Sequence, residues 1–162
     1  MAEDVRIRRL GPDDWELYRD IRLESLADAP YAYGSSLARE QTFDEATWRS
    51  RCSETTGVNA IATVGAEPVG VMGVYTGLGF AMLVAAWVRP TVRGRGVGDA
   101  LVVDLIGWAR SRDYPELELR VADGNGAARN LFLRNGFFPT GEHEPLESDP
   151  SVDTERMTYK LG

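Results

Sequence analysis

Three glycines and two arginines alternate over a short stretch of the chain: Arg93, Gly94, Arg95, Gly96 and Gly98. Glycines lack the side chains that keep a ligand away from the backbone, and arginines donate charge-assisted hydrogen bonds to phosphate. A helix that begins here adds backbone N–H groups without intrahelical partners and the positive end of its dipole. The segment therefore predicts a binding site for an anion such as a pyrophosphate.

Two other phosphate-binding motifs fit this segment poorly. The dinucleotide fingerprint is G-x-G-x-x-G, whereas Gly94-Arg-Gly-Val-Gly98 is one residue short and follows three strands expected to be antiparallel. The P-loop requires Gly-Lys-Ser/Thr, and the one lysine of the chain, Lys160, lies far from the glycines. A nicotinamide-dependent oxidoreductase and a P-loop enzyme are therefore disfavoured.

Apolar patterns around this segment predict alternating strands and helices. Strands are predicted at 5–10, 58–64, 69–75, 80–88, 117–121, from 137 onward and at 155–161. Helices are predicted from Pro12 or Asp13 to Pro30, and at 44–52, 96–112 and 125–135. The segment 65–68 predicts a hairpin turn, and 147–151 predicts a loop between the last two strands. The expected class is α/β (α+β), with a mixed, mostly antiparallel sheet of about seven strands flanked by about four helices.

Composition narrows the class of protein. A chain of 162 residues fits a single domain, 1–162, and its one cysteine and one histidine, Cys52 and His143, form neither an internal disulfide nor a four-ligand zinc site. The net charge of -7 disfavours nucleic-acid binding. Because no apolar signal core or membrane-length apolar segment is present, we expect a soluble, cytoplasmic protein with no membrane partner.

Two motifs in the second half of the chain occur together in one protein family. The first, Arg/Gln-x-x-Gly-x-Gly/Ala after a strand, matches Arg93 to Gly98, with Val88 and Pro90 just before it. The second motif is an Asn, then an Ala, then Leu-Tyr-x-Lys-x-Gly-Phe. It is matched by Asn125, Ala128, Leu131-Phe132, Arg134 and Gly136-Phe137. With these motifs the sequence resembles the GNAT superfamily of N-acetyltransferases.

This resemblance implies a three-layer GNAT-like fold that uses acetyl-CoA as the acetyl donor and needs no metal. The sheet is expected to splay between the strands that end near Val88 and Val121, with the pantetheine arm of the coenzyme in the gap. The residues implied in coenzyme binding are Trp87, Val88, Arg93, Gly94, Arg95, Gly96, Val97, Gly98, Asn125 and Phe132. Many family members pair through their last strands, so a homodimer is also implied.

The sequence departs from the family at Phe132, where a tyrosine is usual. That tyrosine is often proposed to protonate the departing thiolate, and a phenylalanine has no proton to donate. A thiol with a pKa near 8.5 is nevertheless a tolerable leaving group, so water or another tyrosine can complete the step. The departure leaves open a second hypothesis, a non-catalytic acyl-CoA-binding or sensor module.

The expected reaction is direct attack of a neutral amine on the thioester. An alkyl amine is mostly protonated at pH 7, so a base must remove its proton. The candidate bases are Glu40, Tyr75, Glu142, His143 and Tyr159, of which Tyr75 and Glu40 are preferred. We expect Tyr31 and Tyr33, together with Glu40 and the 139–153 segment, to line the acceptor pocket. The acceptor remains open among small-molecule amines, amino acids and peptides.

Overall fold

The computed structural model describes residues 4–30, 35–147 and 149–162. In these residues the helices are α1 (Trp15–Asp28), α2 (Leu37–Glu40), α3 (Glu45–Arg51), α4 (Val97–Ser111) and α5 (Gly126–Arg134). The strands are β1 (Val5–Leu10), β2 (Gly57–Val64), β3 (Glu67–Tyr75), β4 (Ala81–Val88), β5 (Glu116–Ala122), β6 (Phe138–Leu146) and β7 (Asp149–Lys160). Short 3₁₀ turns lie at Pro12–Asp14, Glu54–Thr56 and Pro90–Val92.

The strands form one sheet of seven in the order β1-β2-β3-β4-β5-β7-β6. The β4–β5 pair is parallel, and every other neighbouring pair is antiparallel. The chain crosses from β4 to β5 through α4, as a parallel pair requires. The predicted mixed, mostly antiparallel sheet is therefore confirmed.

Alternation along the inner strands places helices on both faces of the sheet. Ala60, Ala62 and Met72 pack in the same core as α4, whereas Ile61 and Val71 pack in a second core with α1 and α3. Successive residues of a strand point to opposite faces, so these β-branched runs are covered on both sides. The result is the predicted three-layer arrangement.

Side-chain caps explain where two of these helices begin. The carboxylate of Asp44 accepts a hydrogen bond from the backbone N–H of Thr47 at 2.9 Å, and the side chain of Ser36 accepts one from Arg39 N at 3.2 Å. Such caps satisfy donors that the first helical turn leaves without partners. The sequence left the cap of α3 open between Thr42 and Asp44, and it did not predict α2, since a single helical turn has no apolar period.

The last strand also begins earlier than predicted. The sequence suggested a loop at 147–151 and a strand from 155, whereas β7 starts at Asp149 and pairs with β6 as a hairpin. Nearly all of β6 is solvent-exposed, so this hairpin is held by backbone hydrogen bonds and lacks the apolar alternation that a sequence pattern detects. No helix among the described residues is long and apolar enough to span a membrane.

Candidate active site

A cleft separates β4 from β5. These parallel strands are paired at Ala81–Leu117 and Met82–Glu118, and beyond those positions they diverge. The cleft encloses a cavity of about 60 Å³ lined by Leu83 to Ala86 of β4, Leu119 to Ala122 of β5, and Asn125, Ala128 and Phe132 at α5. The splayed sheet that the family resemblance implied is thus present.

A β-bulge shapes the β4 side of the cleft. Val71 pairs with Trp87 and Gly73 with Val84, so Met72 of β3 lies opposite two residues of β4, Ala85 and Ala86. Ala85 has a φ of 59°, in the left-handed region that costs a residue with a Cβ about 1–2 kcal/mol. An extra residue in one strand reverses which face of the sheet each later side chain points to. It also changes the direction of the backbone N–H and C=O groups at that point.

The reversal is visible in the side chains of β4. Leu83 packs in the core with α4, but Trp87, four residues later, is buried in the core with α1 and donates from Nε1 to Asp28 at 2.9 Å. A regular strand would place both side chains on the same face. The side chain of Trp87 therefore lies away from the cleft, and only its backbone remains for the predicted coenzyme contact.

We expect substitutions at the bulge to separate strain from packing. Ala85→Val is expected to lower the free energy of unfolding by about 1–3 kcal/mol, because a β-branched residue is an outlier at positive φ. Ala85→Gly is expected to change it by less than about 1 kcal/mol, since relief of strain offsets the backbone entropy of glycine. Urea denaturation measures both, with Ala86→Gly as the control that loses about 1 kcal/mol. Equal losses for the two glycine variants would contradict the assignment of strain to Ala85.

The predicted anion site lies where the chain enters α4. Gly94 and Gly96 have φ values of 79° and 81°, a conformation that favours glycine. The first intrahelical bond runs from Ala100 N to Gly96 O at 3.0 Å, so the N–H groups of residues 97–99 precede the helical pattern. At Gly98 an added Cβ would lie 3.0 Å from the side chain of Leu131, which would have to shift to make room for it.

Arg93 and Arg95 are exposed beside this turn. Arg93 Nε donates to the carbonyl oxygen of Val88 at 2.8 Å, and Nη2 donates to Asp28 at 3.2 Å. An anion at the turn competes with these contacts for the guanidinium. Val97 is buried in the core with α4, so its side chain anchors the helix and only its N–H faces the turn.

The one acidic residue in the first turn of α4 is held by α5. The carboxylate of Asp99 accepts from Arg134 at 2.8 and 2.9 Å and from Asn135 at 2.8 Å. The Arg134 guanidinium lowers the pKa of Asp99, and in return it offsets the negative charge near the predicted phosphate position. Arg134, matched to the family's lysine, therefore joins α5 to the start of α4.

Asn125 and Phe132, two of the residues predicted to contact the coenzyme, both line the cleft. The Asn125 side chain caps α5 by accepting a hydrogen bond from Ala128 N at 3.3 Å. Asn125 therefore has a structural role that does not depend on coenzyme binding. Phe132 is buried, and its ring centroid lies 5.7 Å from that of Phe137, which in turn lies 5.5 Å from Tyr159. The ring at 132 thus forms part of the cleft wall and supplies no hydroxyl.

A second, larger cavity of about 580 Å³ lies on the α1 side of the sheet. Its walls come from α1, α3, the β3–β4 turn and the β6–β7 hairpin, and include Tyr18, Arg22, Arg51, Tyr75, Leu78, Phe80, Glu144 and Glu147. The two cavities share five lining residues: Leu83, Val84, Ala85, Arg120 and Ala122. They therefore meet at the β4 bulge, and Arg120 borders both.

Glu40 occupies a position unlike that of a catalytic base. It is 1% exposed and accepts from Arg22 at 3.0 and 2.9 Å and from Arg51 at 2.6 Å. Although burial raises its pKa, the two arginines outweigh that effect and lower the pKa to about 2. A carboxylate with so low a pKa is a weak proton acceptor, and Glu40 is better described as the anchor of two arginines.

Of the other candidate bases, only Tyr75 lines a cavity in the part of the chain that the structure describes. Tyr75 lines the large cavity with 39% of its surface exposed, and its hydroxyl lies over Gly77. Glu142 pairs with Arg156, and His143 Nδ1 lies 3.1 Å from Asp153 on the exposed hairpin. Neither of these two, nor Tyr159, lines either cavity. Tyr31 and Tyr33 lie outside the described residues.

Sequence reasoning missed three residues at the site. Ala85 carries no pattern that predicts a bulge, and no local pattern pairs Arg51 with Glu40, which lies on another helix. Arg120 had a weak signal: in the strand 116–122 it alternates with Leu119 and Val121, which places it on the opposite face from the α4 core. Among the described residues, no group of three or more His, Cys, Asp or Glu side chains is placed to hold a metal.

Comparisons with known proteins agree with this geometry. Residues 16–137 match the model of the acetyltransferase (GNAT) family. Similar solved structures include the ribosomal-protein-S18-alanine N-acetyltransferase from Escherichia coli, with 21% identity over 98% of this chain and 95% of that one and a TM-score of 0.71. A GNAT-family acetyltransferase from Streptococcus pneumoniae shares 19% identity over 98% and 100% of the chains, with a TM-score of 0.76.

A third structure was solved with a ligand. It is yncA from Salmonella typhimurium with its cofactor acetyl-CoA, and it shares 18% identity over 98% of this chain and 95% of that one, with a TM-score of 0.77. No curated protein sequence matches the chain. At these identities the structural likenesses establish the fold.

Proposed function

The chain belongs to the GNAT acetyltransferase family, whose members transfer an acetyl group from acetyl-CoA, and on that premise we propose that it acetylates a primary amine by direct attack. The proposal places the pantetheine arm in the β4–β5 cleft, the pyrophosphate at the 93–98 turn and the amine in the large cavity. Its main support is that the two cavities meet at the β4 bulge. A thioester in the β4–β5 cleft would therefore lie next to an amine in the large cavity.

The bulge supplies a place for the oxyanion of the tetrahedral intermediate. Attack on the thioester carbonyl places negative charge on its oxygen, and backbone N–H groups aimed at that oxygen stabilise it most in a site that excludes water. At Ala85 and Ala86 the regular pairing of β4 with β3 is interrupted, and a bulge changes the direction of the backbone groups around it. We assign this role to the β4 backbone between Ala85 and Val88.

The amine must lose a proton before it attacks. With an alkyl-amine pKa near 10.4, the neutral form at pH 7 is disfavoured by about 4.6 kcal/mol. Tyr75 remains our candidate for this step, acting through water, and Glu147 on the opposite hairpin is the second, because both line the cavity. Glu40 is replaced in this role, since its carboxylate is already bound by two arginines.

The departing thiolate has a positive side chain nearby in place of an acid. Arg120 lines both cavities and pairs with Glu144 at 2.7 Å. A guanidinium beside the reacting carbonyl favours both the oxyanion and the thiolate, because it offsets developing negative charge without transferring a proton. This arrangement compensates for the phenylalanine at position 132.

Arg120→Met is therefore expected to lower kcat by about 10- to 30-fold while the dissociation constant for acetyl-CoA changes by less than about 3-fold, because the lost charge acts in the transition state. Steady-state thiol release and calorimetry measure the two quantities. Glu144→Gln is the matched control, since it breaks the same ion pair but keeps the guanidinium. Equal losses in the two variants would assign Arg120 a merely structural role.

The function is tested by titrating the protein with acetyl-CoA in a calorimeter, with NAD as the comparison ligand, and then by measuring free thiol with a panel of amines. Micromolar binding of acetyl-CoA with thiol release for at least one amine is expected. Tight binding of acetyl-CoA without thiol release for any amine would instead favour a non-catalytic acyl-CoA sensor. The phenylalanine at position 132 is the observation that supports this second candidate function. Absence of acetyl-CoA binding would overturn both readings.

We also propose that residues 1–162 act as a single domain in the cytoplasm and pair as a homodimer. The homodimer is supported by β6, an edge strand that is exposed along nearly its whole length. Small-molecule amines, amino acids and peptide termini all remain acceptors that this architecture admits.

A further inference from the structure

We propose that the acceptor amine also carries a carboxylate, and that the guanidinium of Arg51 binds this carboxylate in the large cavity. The inference rests on the proposed function and narrows its substrate class. Its basis is a cluster of three charged residues, Arg22, Glu40 and Arg51, on the α1–α3 side of the cavity, which we call the arginine wall.

The arginine wall carries one more positive than negative charge. Arg22 is 4% exposed and binds both oxygens of Glu40, while Arg51 binds one of the same oxygens. Both arginines line the cavity. An excess positive charge that borders a cavity favours an anionic ligand.

The other acidic residues that line the cavity do not belong to the arginine wall. Glu144 pairs with Arg120 at 2.7 Å across the cavity junction. Glu147 lies on the β6–β7 hairpin, a separate wall from α1 and α3. The cavity thus combines a positive side formed by α1 and α3 with acidic residues on the hairpin, a distribution that suits a ligand with one carboxylate and one amine.

Arg51 is held in place before any ligand arrives. Its guanidinium carbon lies 5.4 Å from the ring centroid of Trp48, 5.5 Å from that of Phe43 and 5.9 Å from that of Tyr18. Its backbone carbonyl accepts from Asn59 Nδ2 at 2.6 Å. Three rings and an anchored backbone reduce the entropy that a flexible arginine would lose on binding.

Arg51 lines the cavity and also retains guanidinium donors that Glu40 does not use. Across residues 4–30, 35–147 and 149–162, the hydrogen bond of its guanidinium is the one from Nη1 to Glu40 at 2.6 Å, and 32% of the side chain is exposed. A guanidinium has five N–H donors in a planar fork that matches a carboxylate. Its Nε and Nη2 groups are therefore the donors for the acceptor's carboxylate.

The charge of the wall favours a carboxylate over a phosphate. The wall has one net positive charge, which a monoanionic carboxylate balances, whereas a phosphate monoester carries about −1.5 to −2 at pH 7. The rest of the cavity includes the apolar side chains of Val58, Leu78 and Phe80. An amino acid with an apolar side chain fits this combination, so L-phenylalanine is a suitable probe.

The test compares L-phenylalanine with L-phenylalaninamide, which has the same side chain and amine but a neutral amide in place of the carboxylate. Thiol release gives kcat/KM for both acceptors with the wild type, Arg51→Gln, Arg51→Lys and Arg112→Gln. Arg112 is the matched control, because its guanidinium also lies over a tryptophan ring, 5.3 Å from Trp108, but it lines neither cavity. Differences in amine pKa cancel when the acid-to-amide ratio of a variant is divided by that of the wild type.

Arg51→Gln is expected to lower the acid-to-amide ratio at least 10-fold, Arg51→Lys is expected to restore part of it, and Arg112→Gln is expected to leave it unchanged. An unchanged ratio in Arg51→Gln would overturn the inference, as would turnover of O-phosphoethanolamine but of no carboxylated amine. If acetyl-CoA binds but no amine at all releases thiol, the proposed function fails first and this inference falls with it. An acetyl-CoA titration of each variant verifies that it is folded.

Discussion

Replacing Glu40 by glutamine is expected to lower the free energy of unfolding at pH 7 by about 3–5 kcal/mol, because it leaves the buried guanidinium of Arg22 without a compensating charge. Glutamine keeps the shape of the side chain and one acceptor oxygen, so the loss reports the charge and not a cavity. Urea denaturation followed by circular dichroism measures the change. Glu40 is 1% exposed and receives hydrogen bonds from two arginines, so its charge is buried and compensated by two positive charges.

The same variant changes how stability depends on pH. The pKa of Glu40 is about 2 in the folded chain, below its ordinary value of 4.5, so between these values the unfolded chain binds more protons than the folded one. The stabilisation by Glu40 is therefore complete above about pH 4.5 and is lost as the pH falls through about 2. We expect the difference between wild type and Glu40→Gln to shrink by about 3 kcal/mol over this interval.

Glu45→Gln is the matched control for both measurements. Glu45 also pairs with an arginine, Arg49, at 3.3 Å, but 58% of its side chain is exposed, and surface pairs of this kind contribute less than about 1 kcal/mol. Other carboxylates with lowered pKa, among them Asp99 and Glu155, contribute to the acid lability of every variant and cancel in the difference. A pH-independent difference would show that Glu40 stabilises the fold by packing and not by its charge.

The double variant Arg93→Ala/Arg95→Ala is expected to raise the dissociation constant for acetyl-CoA by about 100-fold. Each arginine supplies a charge-assisted hydrogen bond to phosphate, and two such bonds at an exposed turn contribute about 3 kcal/mol in total. The Arg93 guanidinium also donates to Val88 O and Asp28, so a pyrophosphate at the turn competes with these partners for it. Calorimetry with acetyl-CoA measures the effect directly.

A matched double variant lies at the other end of the same helix. Arg110→Ala/Arg112→Ala also removes two positive charges from α4, but near its C-terminus, where the helix dipole repels anions. We expect this control to bind acetyl-CoA within about 3-fold of the wild type. Similar affinities for the two double variants would mean that the pyrophosphate binds elsewhere and that the glycines at 94–98 serve only the turn.

Patterns within single elements predicted most of the fold. Apolar, β-branched runs located most strands of the sheet, and helical spacing located the main helices to within about two residues. Two features were missed: α2, a single turn that has no apolar period, and the start of β7, which is mostly exposed and held by backbone hydrogen bonds. Apolar periodicity exists only where one face of an element is buried.

The glycine turn and the cleft were also predicted from local spacing and the family resemblance, since a βα turn carries its anion site within a few consecutive residues. The opposite wall of the site depends on contacts between distant elements. Glu40 was a candidate base in the sequence, but α2 and α3 bring it between Arg22 and Arg51, and that environment lowers its pKa to about 2.

The sequence by itself determined the fold class, the family and the position of the glycine turn, because each depends on residues that are close along the chain. Only the tertiary structure decided that β4 bulges at Ala85, that Arg120 borders both cavities, and that Arg51 lines the larger cavity while paired with Glu40. The role of a charged side chain is set by the desolvation and neighbouring charges that folding creates around it, and no local pattern encodes these.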